Sequence, residues 1–371
     1  MLFRCKRVLG HPLKVLSSGH IFTKSEDCII PPENMLKYLA GSAGPSGFGS
    51  KSTAEEVTEN CPHLRSITAI ITGATSGIGA ETARVLAKRG VRLVLPARDV
   101  KVAEETKARI LLESPEAEIV VAPPLDLSSL RSVRNFVAHF ESLNLPLNLL
   151  INNAGKFAYK YCVSEDGIEM TFATNYLGHF LLTELLLGKI VDTAKATGIQ
   201  GRIVNVSSGT YDWFSDDILA YFRDVTTNPS HYDATRAYAL SKLATFLYTK
   251  ELAQRLEQKQ ANVTVNCVHP GVVKTRLNRE REGFFTNLVF FLASKFLKTV
   301  SQGASTTCYV ATDPRLENVS GKFFVDCNMV SASKVGINLT KNARLCRDSY
   351  LLISCHLCQR NFHPFQTLEF K

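Results

Sequence analysis

Tyr238 and Lys242 stand four residues apart in the stretch Tyr238-Ala239-Leu240-Ser241-Lys242, inside a run of good helix formers from Ala237 to Arg255. On a helix this spacing sets both side chains on one face, an ammonium beside a phenol. A neighbouring positive charge favours phenolate, so the tyrosine proton exchanges closer to neutrality than that of an isolated phenol at about 10. Such a tyrosine is a general acid or base. A half-buried tyrosine next to a solvated lysine has the same spacing, so the rest of the chain must supply a cofactor and a substrate before the pair means chemistry.

A candidate cofactor site lies upstream. The apolar run Thr68 to Thr72 ends in Gly73-Ala74-Thr75-Ser76-Gly77-Ile78-Gly79, after which Ala80 to Lys88 has helical periodicity and Gly90 closes the helix. Strand, glycine-rich turn and helix form the first unit of a dinucleotide-binding fold. The glycines allow a tight turn, backbone approach to a pyrophosphate, and close packing of helix on strand. The helix N-terminus then offers free N–H groups to phosphate. A second strand, Arg92 to Ala97, is followed by Arg98, where a site for NAD would carry an acid; a guanidinium suits a 2′-phosphate, which points to NADP(H). Asp99 beside it leaves that preference open to an acid as well. Asp126, after the strand Glu118 to Ala122, is placed either to bind adenine or to cap the next helix at Ser128-Ser129. Asn152-Asn153-Ala154-Gly155 follows the buried strand Leu147 to Asn152, and small residues there let a flat ring lie on the backbone.

Strands alternate with helices of ten to fifteen residues, continuing through Arg202–Val206, Val263–Cys267 and Lys322–Val325. The pattern predicts one α/β domain of the Rossmann type, doubly wound around a mainly parallel sheet of seven strands. Its helices include Glu169 to Leu187 and Gln302 to Ala311. The domain is placed at residues 66–330, with an N-terminal extension over 1–65 and an atypical tail over 331–371.

Composition bounds the partners. At 371 residues, with 45% apolar and 21% charged side chains, the chain reads as an ordinary globular protein. The net charge of +9 is diffuse. No run of basic residues or basic helical stripe supports a nucleic-acid partner. Ten scattered cysteines fit a reducing compartment. Cys355-x-x-Cys358 with Cys346 and His363 has zinc-like ligand types, but without a second pair no metal site is expected. No window of about twenty residues is apolar enough to span a bilayer. Phe284 to Leu297 comes nearest, and would touch a membrane surface or line an apolar pocket. Residues 1–34 carry five Lys/Arg and no acid before Glu26, the composition of an organellar transit segment, unless the chain starts functionally at Met35. Gly41 to Ser52 reads as a linker, with low order expected before Ser66.

Taken together, Thr72-Gly73-x-x-x-Gly77-x-Gly79, Asn152-Asn153-Ala154-Gly155, Asn175 in Thr174-Asn-Tyr-Leu-Gly178, Ser207-Ser208, Tyr238-x-x-x-Lys242 and Pro270-Gly271 resemble the short-chain dehydrogenase/reductase superfamily over about Ser66 to Asp326. Residues 44–57 and Arg236 to Ala244 are similar to its plant retinol-dehydrogenase-like members, including the dehydrogenase of the plastid inner-envelope translocon. The resemblance implies that Tyr238 exchanges a proton with a substrate oxygen, that Lys242 lowers its pKa and holds the nicotinamide ribose, and that Ser208, with Ser207 as second choice, bonds the substrate oxygen. It implies that Asn175 fixes a water in a relay to Lys242. Cofactor contacts are implied for Gly73, Ser76, Gly77, Ile78, Gly79, Arg98, Asp126, Leu127, Asn153, Ala154, Gly155, Pro270, Gly271 and Thr275, besides Tyr238 and Lys242. The implied activity is NADP(H)-dependent transfer of a hydride to or from a hydrophobic alcohol or carbonyl compound. Phe284 to Leu297 stands where the family has a substrate lid, and the segment Asp212 to Thr235 shapes the substrate mouth. The resemblance also implies a homodimer through the helices of Asn175 and Tyr238, and a chloroplast location at the inner envelope, with the cytoplasm as the alternative. A second reading is a redox-sensing component of plastid protein import with little catalysis. From Leu345 onward the chain departs from the family's charged terminal helix, so calmodulin binding does not carry over.

Overall fold

The computed structural model describes residues 32–61, 64–214, 217–273, 297–331 and 339–358. The transit-like leader to Pro31, Thr275, nearly all of Phe284 to Leu297, and His363 lie outside these residues. Strands β1 (Thr68–Ile71), β2 (Arg92–Leu95), β3 (Ile119–Val121), β4 (Leu149–Asn152), β5 (Gly201–Val206), β6 (Val263–His269) and β7 (Phe323–Val325) form one parallel sheet in the order 3-2-1-4-5-6-7. Ile70 pairs with Val94 on one side and Leu150 on the other. Central strands buried on both faces read as continuous apolar runs rather than alternating ones, as in Ala69-Ile70-Ile71. Chain order reverses between β1 and β4, which opens a crevice at the strands' carboxyl ends.

The sheet has eight strands among the described residues, not the expected seven. β8 (Asn328–Val330) returns antiparallel to β7. The turn between them uses Asp326 and Cys327, both at positive φ (51° and 64°), the conformation that two-residue hairpins require. Asp-Cys lacks the usual glycine, so this hairpin carries no sequence signal.

Helices cover both faces. On one side lie α1 (Pro32–Ala40), α2 (Ala54–Thr58) and α3 (Gly77–Lys88). Along the sheet come α4 (Val100–Glu113), α5 (Leu130–Ser142), α6 (Met170–Phe172) and α7 (Gly178–Thr197), followed by α8 (Ile218–Thr227), α9 (Ala234–Gln258), α10 (Val300–Thr312) and α11 (Leu339–Cys358). Val85, Leu86, Ala304 and Cys308 pack in one core layer with Ala54 and Val57 of α2. Phe136, Phe180 and Leu240 pack in the other. Helix α2 is fixed by a capping box in which Thr53 and Glu56 satisfy each other's backbone N–H groups.

The linker expected over Gly41 to Ser52 is a packed loop. Asn328 on β8 accepts from the Ser46 N–H (3.0 Å) and donates to the Phe48 carbonyl (2.9 Å), while Arg315 donates to the Ser46 carbonyl (2.9 Å). Small polar residues that suit a free linker here serve as backbone partners for a distant hairpin.

The tail also docks. Asn342, Leu345, Cys346, Ser349 and Ile353 are buried at helical spacing on α11. Ser349 bonds the Tyr176 hydroxyl (2.9 Å), and Tyr350 donates to Glu184, which also accepts from Arg255 (2.8 Å) and Tyr248 (2.9 Å). The tail thus covers part of α7 and α9, the helices through which the implied dimer would pair. Arg255→Ala strips the guanidinium from a carboxylate whose side chain is 11% exposed. It should cost about 2 kcal/mol, below the value for a fully buried pair because Arg255 is itself partly solvated. Thermal melts should show a drop of several degrees, partly recovered in Arg255→Ala/Glu184→Gln; an unchanged melting temperature would mean the pair is solvated and contributes nothing.

Candidate active site

The crevice is an open cleft of about 600 Å³ whose walls come from the turn after β1, the ends of β2 to β6, and α9. Gly73 (φ 68°) and Gly77 (φ 55°) have the left-handed backbone that the turn needs. A Cβ at Gly79 would lie 2.3 Å from the Gly73 carbonyl oxygen and 2.4 Å from Asn153 Nδ2, so only glycine lets α3 sit this close. Ser76 precedes α3 without capping it through its side chain, which leaves the first N–H groups of the helix facing the cleft. These features fit a dinucleotide pyrophosphate.

Arg98 is exposed and lines the cleft beyond β2. The carboxylate of Asp99 accepts from the Lys101 N–H (2.9 Å) and caps α4. One oxygen of Asp99 is thus engaged at the start of α4, while both Arg98 and Asp99 line the cleft. Asp126 also lines the cleft, with one oxygen accepting from the Ser128 N–H (2.9 Å) and hydroxyl (2.7 Å). The next helix, α5, is capped by Ser129, so Asp126 does not hold the capping role considered from sequence. Leu127, Ile78, Asn153, Ala154, Gly155 and Pro270 complete the expected lining. Gly271 (φ 82°) adjoins it, packed against Lys298.

At the far end, Tyr238 and Lys242 come together on α9 as their spacing predicts. Lys242 is 3% exposed, its Nζ donates to the Val206 carbonyl (2.9 Å), and it lies 5.8 Å from the Tyr238 ring centroid. Tyr238 is hydrogen-bonded to Ser208. Ser207 lines the cleft and donates to the Lys242 carbonyl (2.9 Å), while Ser208 Oγ accepts from the Thr210 N–H (3.3 Å) at the turn that follows β5. The expected lowering of the phenol is not what this geometry gives. Burial pushes Tyr238 up to about 12, only partly offset by Ser208, and pushes Lys242 down to about 8. Desolvation outweighs the ammonium. Phe157 stands 5.3 Å from the Tyr238 ring and 4.7 Å from Tyr159, an aromatic wall at the mouth.

Asn175 lies in a π-helical stretch, Ala173–Leu177, between α6 and α7. Such wide turns occur mostly at functional sites. Its side chain accepts from the Lys156 N–H (2.7 Å) and donates to the Lys156 carbonyl (3.0 Å) and Ser241 Oγ (3.0 Å). The amide thus ties Lys156, which follows the Asn152–Gly155 loop, to α9. Two histidines that sequence reasoning passed over join the site. His179 contacts Thr72 Oγ1 (2.8 Å) and the Asn175 carbonyl (3.1 Å), and His269 accepts from the Gly209 N–H (3.1 Å) directly after Ser208. Burial holds both near 4, hence neutral. Their position four residues after Asn175, and directly before Pro270, was the available signal. Among the described residues no cluster of potential metal ligands is found.

Comparison with known proteins agrees with this architecture. The family described as short chain dehydrogenase matches residues 67–221 and 227–283. Short-chain dehydrogenase TIC 32 B, chloroplastic, of Brassica napus is 46% identical, over 81% of this chain and 93% of that one. Retinol dehydrogenase 12 of Bos taurus is 40% identical, over 78% of this chain and 85% of its own. Among solved structures, L-sorbose reductase from Gluconobacter frateurii, complexed with NADPH and L-sorbose, shares the fold (TM-score 0.55, 20% identity, 72% of this chain and 97% of that one). The glycine turn, the wide turn carrying Asn175 and the Tyr238–Lys242 pair are accordingly those of a family member: the chain belongs to the short-chain dehydrogenases.

Proposed function

We propose that this oxidoreductase uses NADP(H) to interconvert a hydrophobic carbonyl compound and its alcohol. The observation that carries the reading is Tyr238 with Lys242 beside it at the end of a glycine-lined cleft, with Ser208 as the partner that lowers the phenol and Phe157 and Tyr159 alongside. The bound dinucleotide supplies or accepts the hydride. Gly73, Ser76, Gly77, Ile78 and Gly79 hold its phosphates, Arg98 its 2′-phosphate, and Asp126, Leu127 and Asn153 its adenosine side. Ala154, Gly155, Pro270, Gly271 and Thr275 hold the nicotinamide side. Ser208 orients the substrate oxygen. Tyr238 donates its proton to that oxygen as negative charge develops in reduction, and takes a proton from the alcohol in oxidation. Lys242 stabilises the phenolate left behind, and Asn175 carries a water toward Lys242.

A location in the chloroplast follows from the 46% identity to a chloroplastic relative, and no helix among the described residues is long and apolar enough to cross a membrane. The same relative's name favours a second reading, in which the protein reports NADP(H) state to a translocon at the inner envelope while resting on the membrane surface. That role needs the glycine turn but not Ser208 or Asn175. A homodimer through α7 and α9 pairs on the part of those helices that α11 leaves free.

Tyr238→Phe should abolish NADPH oxidation across a panel of hydrophobic aldehydes and ketones while leaving NADPH binding intact; retained turnover would sink the proton-donor assignment. Arg98→Asp should weaken NADPH binding by roughly tenfold or more, the scale of losing a charge-assisted phosphate contact. NADH binding should hardly change, and an equal effect on both would remove the 2′-phosphate role. The reduction rate should fall as pH rises through about 8, where Lys242 loses its proton. A rate flat from pH 7 to 9 would contradict the need for its charge.

A further inference from the structure

We propose that His179 is a positioning residue that couples the cofactor turn to the turn of Asn175, by taking the Thr72 hydroxyl proton on one ring nitrogen and donating to the Asn175 carbonyl from the other. This rests on the reading of the cleft as a dinucleotide site.

The proton inventory fixes the direction of each bond. Thr72 Oγ1 accepts from the backbone N–H of Asn153 (2.9 Å) and of Ala154 (3.0 Å), which fills both of its lone pairs. Its own proton has two acceptors within reach, the Ile151 carbonyl at 3.4 Å and His179 Nε2 at 2.8 Å, and the shorter bond takes it. Nε2 is therefore an acceptor. The single ring proton sits on Nδ1 and is donated to the Asn175 carbonyl at 3.1 Å. An imidazolium would set a second N–H against an oxygen with no lone pair free, and burial with the nearby Lys242 charge holds the ring neutral.

Both partners belong to the site. Thr72 immediately precedes Gly73, and its carbonyl also accepts from Asn153 Nδ2 (2.9 Å), so its hydroxyl sets where the glycine turn meets the loop under the nicotinamide. Asn175 clamps Lys156 and Ser241, one residue before Lys242. The ring thus connects the two halves of the cleft through one neutral tautomer. A residue needed only to fill this space would be apolar, because an imidazole 6% exposed gains nothing over phenylalanine unless both nitrogens are used.

The test separates the two nitrogens. His179→Asn places an amide near Nδ1, keeping the bond to Asn175 and losing Thr72; His179→Gln reaches the Nε2 position and does the reverse. NADPH affinity is read by cofactor fluorescence, kcat by NADPH oxidation with a hydrophobic aldehyde, and folding by thermal melts. His179→Asn should bind NADPH about tenfold more weakly with kcat near wild type, and His179→Gln should keep NADPH affinity and lose about tenfold in kcat, each the scale of one buried hydrogen bond. Equal losses of NADPH affinity in both variants, or unchanged affinity in both at matched folded fraction, would overturn the assignment. The binding arm needs no turnover. A wild-type protein that binds NADPH yet reduces no aldehyde or ketone would therefore sink the oxidoreductase reading while still deciding the role of His179.

Discussion

One hydroxyl sets the geometry at the carboxyl end of the sheet. Thr72 Oγ1 takes the first two N–H groups beyond Asn152 and so pins the chain leaving β4 to the chain leaving β1. The crevice between those strands is inevitable from topology, but its floor is set by this contact. Gly79 closes the same corner, with no room for a side chain between Gly73 and Asn153. The corner is built from small residues and backbone bonds rather than from long side chains, and that leaves backbone groups open to a cofactor bound there.

The chemistry at the other end depends on desolvation. Lys242 is brought into the protein without a carboxylate partner, and the Val206 carbonyl is its hydrogen-bond acceptor. An acid placed there would hold the lysine charged but would quench the field it projects on Tyr238. Neutral acceptors leave that field intact while burial brings the lysine into the range where its proton is exchangeable. Below it, polar contacts continue without charge: Asn152 donates to Asn205 and Thr183, and Asn205 to Thr249, locking β4, β5, α7 and α9 to one another. The donor side of each amide in this ladder is taken by a neighbour fixed in the sheet or a helix, while Asn152 Oδ1 has no partner among the described residues.

The chain states its sheet and its cleft plainly, because apolar runs followed by glycine or Asn-Asn-Ala-Gly are local signals. Helix α10 runs over Val300–Thr312, enclosing the helix expected over Gln302 to Ala311. What was not legible depends on distant partners. The loop over 41–52 looks like a linker until Asn328 and Arg315 supply its hydrogen bonds, and β8 needs a turn at Asp326-Cys327 that has no glycine. The wide turn at Asn175 is invisible to periodicity, since one extra residue per turn shifts the pattern less than its own noise. His179 was passed over for the same reason: its importance lies in Thr72, more than a hundred residues earlier in the chain. The direction of the Tyr238 shift was missed because spacing reports the neighbouring charge but not the water removed.

The tail shows how a segment unlike the family's can still serve the site. Tyr176 follows Asn175 in the wide turn, is fully buried against Phe172 and Phe180, and gives its hydroxyl to Ser349 of α11. A π-helical turn widens the helix and leaves backbone and side-chain groups that neighbouring elements can engage. Here they are engaged from both sides: His179 holds the Asn175 carbonyl from within, and α11 holds Tyr176 from behind. What α11 must supply is one small hydroxyl and an apolar stripe, and Ser349 with Leu345, Cys346 and Ile353 supplies them. Those demands constrain spacing far more than residue type, so the outward-facing residues of this helix can vary without disturbing the residues that face the cleft.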